Sequence, residues 1–307
     1  MNPLRTLVLA AAGNDAVRRV VASAPVSRDV VRRFVAGETT ADAIDATSRL
    51  VGQDGLRVTL DHLGEGTADR GTAERTVRAY LELLDQLHDL GLAADAEVSV
   101  KLSAVGLALG ETLALDNASR ICAAAEQAGT TVTVDMEDHT TTDATLRVLA
   151  ELRRHWPWAG AVLQACLRRT LDDCRELAGT RVRLCKGAYA EPASVAYVDP
   201  HQVDLNYVRC ANVLLAGSGY PMFATHDPRL VEIVGERARW HGKSVEDFEF
   251  QMLYGVRPGE QLHLAAEGHV VRVYVPFGEQ WYGYLVRRLA ERPANVAFFL
   301  RSLVSRS

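Results

Sequence analysis

The sequence predicts an α/β protein, a TIM-type (β/α)8 barrel preceded by a helical segment. Eight short runs rich in Val, Leu and Thr recur along the chain. Helical stretches with apolar residues at three- and four-residue spacing separate them. No G-x-G-x-x-G loop follows the first run, where an open doubly wound sheet would carry one; Leu63-Gly64-Glu65-Gly66 stands there instead. Strand-helix alternation implies a parallel sheet, and eight repeats favour a closed barrel.

Residues 1–55 contain no strand pattern. Val26–Ala36 and Ala41–Val51 read as helices split by Gly37, a prelude packed on a barrel that occupies residues 56–307 in one domain. Arg57–Leu60 is the first strand. Thr76–Leu90 follows as a helix, with Val77, Tyr80, Leu81, Leu84 and Leu87 recurring on one face and Gly91 stopping it. Glu97–Lys101 is the second strand. A helix starting after Asp116, read as its N-cap, ends at Gly129. The remaining strands are Thr131–Met136, Ala161–Ala165, Thr180–Cys185, Pro221–Thr225, Asp247–Leu253 and His269–Val275. In the last helix Tyr284, Arg287 and Arg288 fall at i, i+3 and i+4 on one face, and Glu291 extends the stripe.

Composition narrows the function. A net charge of −5 without a basic tract excludes a nucleic-acid partner. The five cysteines are scattered without a CxxC pair, as expected of reduced thiols in a cytoplasmic protein. No apolar run reaches the ~20 residues of a membrane span. Leu4–Gly13 is short for a secretory signal and is followed by Asp15, Arg18 and Arg19, so it reads as an amphipathic helix.

Chemistry in such barrels gathers where strands end, and these ends are polar. The first gives Asp61, His62 and Glu65; the second, Lys101 and Ser103; the third, Asp135, Met136, Glu137, Asp138 and His139. Gln164 lies in the fourth. The fifth runs from Arg183 into Lys186-Gly187-Ala188-Tyr189, the sixth into Thr225-His226-Asp227, and the eighth contains Tyr274. Adjacent arginines on one helix face suit a small carboxylate, because guanidinium forks match it in bidentate fashion. Taken singly, Lys101 reads as a structural ion pair, Gln164 as a core amide and Asp227 as a cap before Pro228. Their coincidence at nearly every strand terminus favours a ligand site.

Assembled, the motifs resemble the proline dehydrogenase family, in its short monofunctional bacterial, FAD-dependent form. The resemblance runs from about Thr59 to Ala297. It rests on Asp61-His62-Leu63-Gly64-Glu65, Val98-Ser99-Val100-Lys101-Leu102-Ser103, Lys186-Gly187-Ala188-Tyr189, Asp204-Leu205-Asn206-Tyr207, Thr225-His226-Asp227, Gln251-Met252-Leu253-Tyr254-Gly255 and Tyr274-Val275-Pro276-Phe277-Gly278. It implies oxidation of L-proline to Δ1-pyrroline-5-carboxylate by hydride transfer from C5 to flavin N5, the first step of proline catabolism to glutamate, with electrons passed to a membrane quinone.

The resemblance also implies roles. Arg287, Arg288 and Lys101 would hold the carboxylate, with Asp135 balancing that cluster and orienting Arg288. Tyr189, Tyr274, Tyr284 and Leu253 would wall the ring. Asp135 and Arg183 would be the catalytic pair. Met136, Val162, Gln164 and Arg183 would lie by the isoalloxazine, and Lys186, Gly187, Ala188, Thr225 and His226 along the rest of FAD. Glu65 would be a rim gate. Ala190 departs from the bulky residue many members carry there, so no role is assigned to it. A functional link to a separate pyrroline-5-carboxylate dehydrogenase is implied, as is peripheral contact with the inner face of the cell membrane, for which amphipathic residues 298–304 are the candidate segment. The rival readings are a Schiff-base lyase using Lys101 or Lys186, a metal hydrolase using His62, His139 and His226, and a non-catalytic amino-acid sensor. No metal site is expected.

Overall fold

The computed structural model describes residues 31–291 of the chain. Helix α1 (Thr40–Gly52) opens with a capping box, in which Thr39 accepts from Asp42 N while the Asp42 carboxylate accepts from Thr39 N. The eight-stranded barrel follows: β1 (Arg57–His62), β2 (Ala96–Val100), β3 (Val132–Val134), β4 (Gly160–Gln164), β5 (Arg181–Cys185), β6 (Tyr220–Ala224), β7 (Glu249–Leu253) and β8 (Val271–Phe277). Each strand pairs in parallel with the next, and β8 returns to β1 with Arg57 opposite Arg272 and His62 opposite Phe277, closing the sheet.

Helices α2 (Arg70–Asp89), α3 (Glu111–Ala128), α4 (Thr142–Arg153), α5 (Thr170–Leu177), α6 (Pro200–Ala216), α7 (Pro228–Trp240) and α8 (Pro258–Ala266) form the crossovers, and α9 (Trp281–Glu291) follows β8. Two helix starts differ from the sequence expectation. Helix α2 begins at Arg70, where Asp69 caps Thr72 N. Helix α3 begins at Glu111 after Gly110, so Asp116 is an exposed residue inside it rather than its cap; Gly129, at φ 82°, does terminate it. Strand β3 is shorter than expected. Of the predicted helix Val26–Ala36, only Val31–Phe34 appears as helix within the described residues, and residues 26–30 lie outside them.

The main core lies between strands and helices. Val58, Leu60, Val98, Val100, Val182, Leu184, Phe250 and Val273 meet helix residues such as Val77, Leu84 and Ile121. A second, smaller cluster joins Phe34 and Val35 of the prelude to Leu63, Tyr284 and Leu285. The prelude is tied down further by bonds from Ala36 N to Pro276 O and from Gly278 N to Gly37 O. Gly255 lies so near it that a Cβ there would fall 1.6 Å from Arg33 O.

The barrel interior departs from the usual filling of branched aliphatics. Glu97 takes Arg181 at 2.7 Å and lies 3.5 Å from Arg183 and 4.0 Å from Arg272. Thr59, Thr131 and Thr133 donate to the same carboxylate. Arg272 holds Glu249 at 2.7 Å. Burial would raise the Glu97 pKa, but Arg272, Arg181 and Arg183 outweigh it and push it well below the usual carboxylate range.

Candidate active site

Above this ionic floor, at the C-terminal ends of the strands, a cleft of about 600 Å³ opens, within the usual range for small-molecule sites. Arg183, only 4% exposed, reaches up from β5. Its Nε donates to Gln251 Oε1 at 2.5 Å, and its Nη1 donates to Asp135 Oδ1 at 2.8 Å and to Ser99 Oγ at 2.9 Å. Its Nη2 is buried without a hydrogen bond. The guanidinium lies 5.3 Å from the ring centre of Tyr274, whose hydroxyl donates to Asp135 Oδ2 at 2.6 Å.

Lys101, just past β2, completes the cluster. Its Nζ is 2.6 Å from Asp61 Oδ2 and 3.5 Å from Asp135 Oδ2. Burial alone would lower the lysine pKa; the Asp61 and Asp135 charges more than offset that and hold it above the ordinary lysine range. Lys101 is therefore a cation at neutral pH. The two acids respond oppositely. For Asp61 desolvation wins over Lys101 and raises the pKa; for Asp135 Lys101 and Arg183 outweigh desolvation and lower it. The cations Lys101, Arg183 and Arg272, all buried, and the partly buried Arg181 face the carboxylates of Asp61, Glu97, Asp135 and Glu249, so this cluster is electrically balanced.

Helix α9 crosses the rim. Tyr284 and Arg288, one turn apart, both line the cleft, with the Arg288 guanidinium 5.1 Å from the Tyr284 ring centre. The Arg287 backbone belongs to α9, but its side chain lies outside the described residues, as do residues 292–307. Leu253 stands beside Tyr274 on the paired strands β7 and β8, and Tyr189, past β5, also lines the cleft.

Met136, Val162 and Gln164 line the opposite side, where the Gln164 amide donates to Glu137 O at 2.7 Å. Lys186, Gly187 and Ala188 turn away from β5 along it. Gly187 adopts φ 102°, and a Cβ there would collide with Cys166 Sγ at 2.3 Å, so only glycine lets the chain turn this tightly. Lys186 is steered by Asp204 at 2.6 Å and Asp227 at 3.2 Å. Asp227 is also the α7 N-cap, as its place before Pro228 suggested, and it lines the cleft. Thr225 and His226 complete the wall. The His226 ring accepts from Leu253 N at 2.8 Å, and Arg257 donates to His226 O at 2.7 Å, locking the β6 and β7 loops together. Arg257 does so at φ 53°.

Of the residues given a role by the resemblance, all those whose side chains are described line this one cleft except Glu65, whereas the strand-end residues His62, Ser103, Glu137, Asp138 and His139 lie outside its lining. Glu65 is exposed on the β1–α2 loop, which Ser103 pins through Gly66 N and Thr67 N. Asp135 spends its described bonds on Arg183, Ser99, Tyr274 and Lys101, which makes Arg183 and Lys101 its charge partners. The histidines do not converge. His62 packs edge-on to Phe277, His139 pairs with Glu191, and His226 takes the Leu253 amide. Among the described residues no His, Cys, Asp or Glu group gathers as metal ligands.

Sequence reasoning gave no role to Asp61, Glu97, Ser99, Glu249, Gln251 or Arg272. A signal was present: Glu97-Val98-Ser99-Val100-Lys101, Glu249-Phe250-Gln251 and Arg272-Val273-Tyr274 alternate polar and apolar, which aims the polar set to one face.

A closed barrel with a charged, buried cleft at its strand C-termini and a basic helix across the rim defines a (β/α)8 enzyme of small-molecule metabolism. The proline dehydrogenase family profile matches residues 44–301, and the chain belongs to the proline dehydrogenase family. It is 41% identical over 283 residues to a proline dehydrogenase of Deinococcus radiodurans, covering 90% of each chain. It is 38% identical over 277 residues to proline dehydrogenase 1 of Bacillus subtilis strain 168, covering 90% of this chain and 91% of that one. Its fold matches proline utilization A from Bdellovibrio bacteriovorus, solved after inactivation by N-propargylglycine, with a TM-score of 0.81 at 25% identity. The match covers 92% of this chain and 34% of that longer protein.

Proposed function

We propose that the chain oxidises L-proline to Δ1-pyrroline-5-carboxylate with FAD as the bound cofactor. The carrying observation is the juxtaposition, in one cleft, of Arg288 on α9 with the Arg183–Asp135–Lys101 cluster on the floor. The residues suit a flavin. Arg183 keeps a buried Nη2 that makes no hydrogen bond and lies 3.5 Å from Glu97 Oε1, and Lys186, Gly187, Ala188, Thr225 and His226 line the same cleft.

When bound, the flavin would accept a hydride from proline C5 at N5. The protein supplies orientation and charge. Arg288, with Arg287, grips the carboxylate, and protonated Lys101 adds to the field. Tyr274, Tyr284, Leu253 and Tyr189 wall the ring, restricting it to one pose over the cofactor, and such positioning removes much of a barrier. Asp135 holds Arg183, whose charge favours the electron-rich side of the transfer. Glu65 is proposed as the rim gate.

The floor chemistry counts against a lyase. A Schiff-base nucleophile needs a neutral amine, whereas Lys101 is held charged by two carboxylates and Lys186 is paired with two more. Reoxidation by a membrane quinone is part of the proposal, as is delivery of product to a separate dehydrogenase. No helix among the described residues is long and apolar enough to cross a membrane, so quinone access would be peripheral.

The test is optical. Purified protein should be yellow with flavin absorption, and anaerobic L-proline should bleach it. A colourless protein that gains no flavin when FAD is added, or a flavin that proline leaves oxidised, overturns the proposal.

A further inference from the structure

Arg183 lies 3.5 Å from Glu97 of β2 and hydrogen-bonds Asp135, just past β3, while a third acid, Glu249 of β7, is linked to it through one intervening side chain. The residue that arranges this is Gln251. Its carbonyl oxygen accepts from Arg183 Nε at 2.5 Å, and its amide nitrogen donates to Glu249 Oε1 at 2.6 Å. Glu249 is in turn anchored by Arg272 at 2.7 Å and 3.2 Å. The Gln251 side chain is 3% exposed and has only one workable orientation. If flipped, its oxygen would face the Glu249 carboxylate and its NH2 the guanidinium, two repulsive contacts in place of two attractive ones.

The amide thus separates Arg183 from Glu249. Without it the guanidinium could swing toward the β7 carboxylate and leave Asp135. With it, Arg183 Nε is occupied by Gln251, Nη1 is occupied by Asp135 and Ser99, and Nη2 lies 3.5 Å from Glu97 without a hydrogen bond. We propose that Gln251 is a positioning residue that fixes the orientation of Arg183 and, through it, the charge presented to bound flavin. The inference rests on the flavin reading given above.

Two variants test it in the full-length flavoprotein. Gln251→Leu removes the acceptor. Gln251→Glu retains it: a protonated carboxyl copies the amide, its hydroxyl donating to Glu249 and its carbonyl accepting from Arg183. Once ionised, it adds a negative charge among Arg183 on β5, Glu249 on β7, Arg272 on β8 and Glu97 on β2. Three readouts apply: the flavin reduction potential across pH, the hydrogen exchange of the Arg183 Nε proton in 15N-arginine-labelled protein, and the flavin reduction rate against proline affinity.

Gln251→Leu should expose the Nε proton to exchange and slow flavin reduction by about tenfold or more, since misplacement by about 1 Å can cost on the order of 100-fold. Proline affinity should stay unchanged. Gln251→Glu should keep the Nε proton protected and match the wild-type potential at low pH. As pH rises its potential should fall below wild type. The inference is overturned if Gln251→Glu tracks the wild-type potential at every pH, or if Gln251→Leu leaves the Nε proton protected. Loss of proline affinity equal to the loss of rate also overturns it. Wild-type protein lacking a proline-reducible flavin would instead sink the functional reading.

Discussion

Asp135 does two jobs on one carboxylate, holding Arg183 at 2.8 Å and Lys101 at 3.5 Å while accepting from Tyr274 and Ser99. Breaking a buried ion pair from one side costs about 3–5 kcal/mol, so Asp135→Asn should lower unfolding stability by that amount at neutral pH. The sign with pH follows from the direction of the shift. Burial opposes ionisation, but Lys101 and Arg183 prevail and depress the folded pKa. The stabilisation is complete above the ordinary carboxylate range and is lost as pH falls through the depressed value. Urea unfolding of wild type and variant should therefore converge below about pH 4. Divergence that persists at acid pH would show that Asp135 acts through something other than its charge. Asp61 behaves oppositely, since its raised pKa makes ionisation costly as pH rises. Arg288→Lys removes the fork that matches a carboxylate and should weaken proline binding by about 2–5 kcal/mol. Titration of the flavin spectrum with proline reads this directly, and unchanged affinity would remove Arg288 from the substrate grip.

Helix α9 does not stand on the barrel by itself. Phe34 and Val35 of the prelude pack with Leu63, Tyr284 and Leu285, and Trp281 donates to Glu38. Phe34→Ala should destabilise the protein by about 3–5 kcal/mol. It should also raise the proline concentration for half-saturation while flavin content holds, because the helix bearing Arg288 loses its brace. A loss of flavin with normal proline affinity would contradict this. These elements differ in how far they were legible. The eight strands and Gly129 were readable because periodicity and glycine are local signals. The starts of α2 and α3 were not, since the first turn of α2, Arg70-Gly71-Thr72-Ala73, lacks the apolar pattern and Gly110 gives α3 no capping side chain to read. The prelude's contact with Tyr284 is a long-range pairing that no local pattern encodes.

Across the whole molecule, ions fill a barrel interior where branched aliphatics would be expected. The cleft residues were legible because motif chemistry marks them, whereas Glu97, Glu249 and Arg272 were overlooked because each reads alone as an ordinary strand-end charge. Glu97→Gln keeps the shape but leaves Arg181, Arg183 and Arg272 under-compensated. It should cost about 3–5 kcal/mol, and added salt should restore little, since buried pairs are weakly screened. Full rescue of its melting temperature by sodium chloride would place that charge nearer water than its burial implies. Closure of the sheet has a consequence during biosynthesis. Arg57 of the first strand finds its neighbour only at Arg272, which at about 5–20 residues per second leaves the ribosome roughly 10–40 s later. Until then the nascent chain carries an open edge and half-neutralised guanidiniums. It gains the helix that carries Arg288 only after the last staves have joined, so a ribosome that stalls inside β8 would release a chain with neither a sealed wall nor that rim arginine.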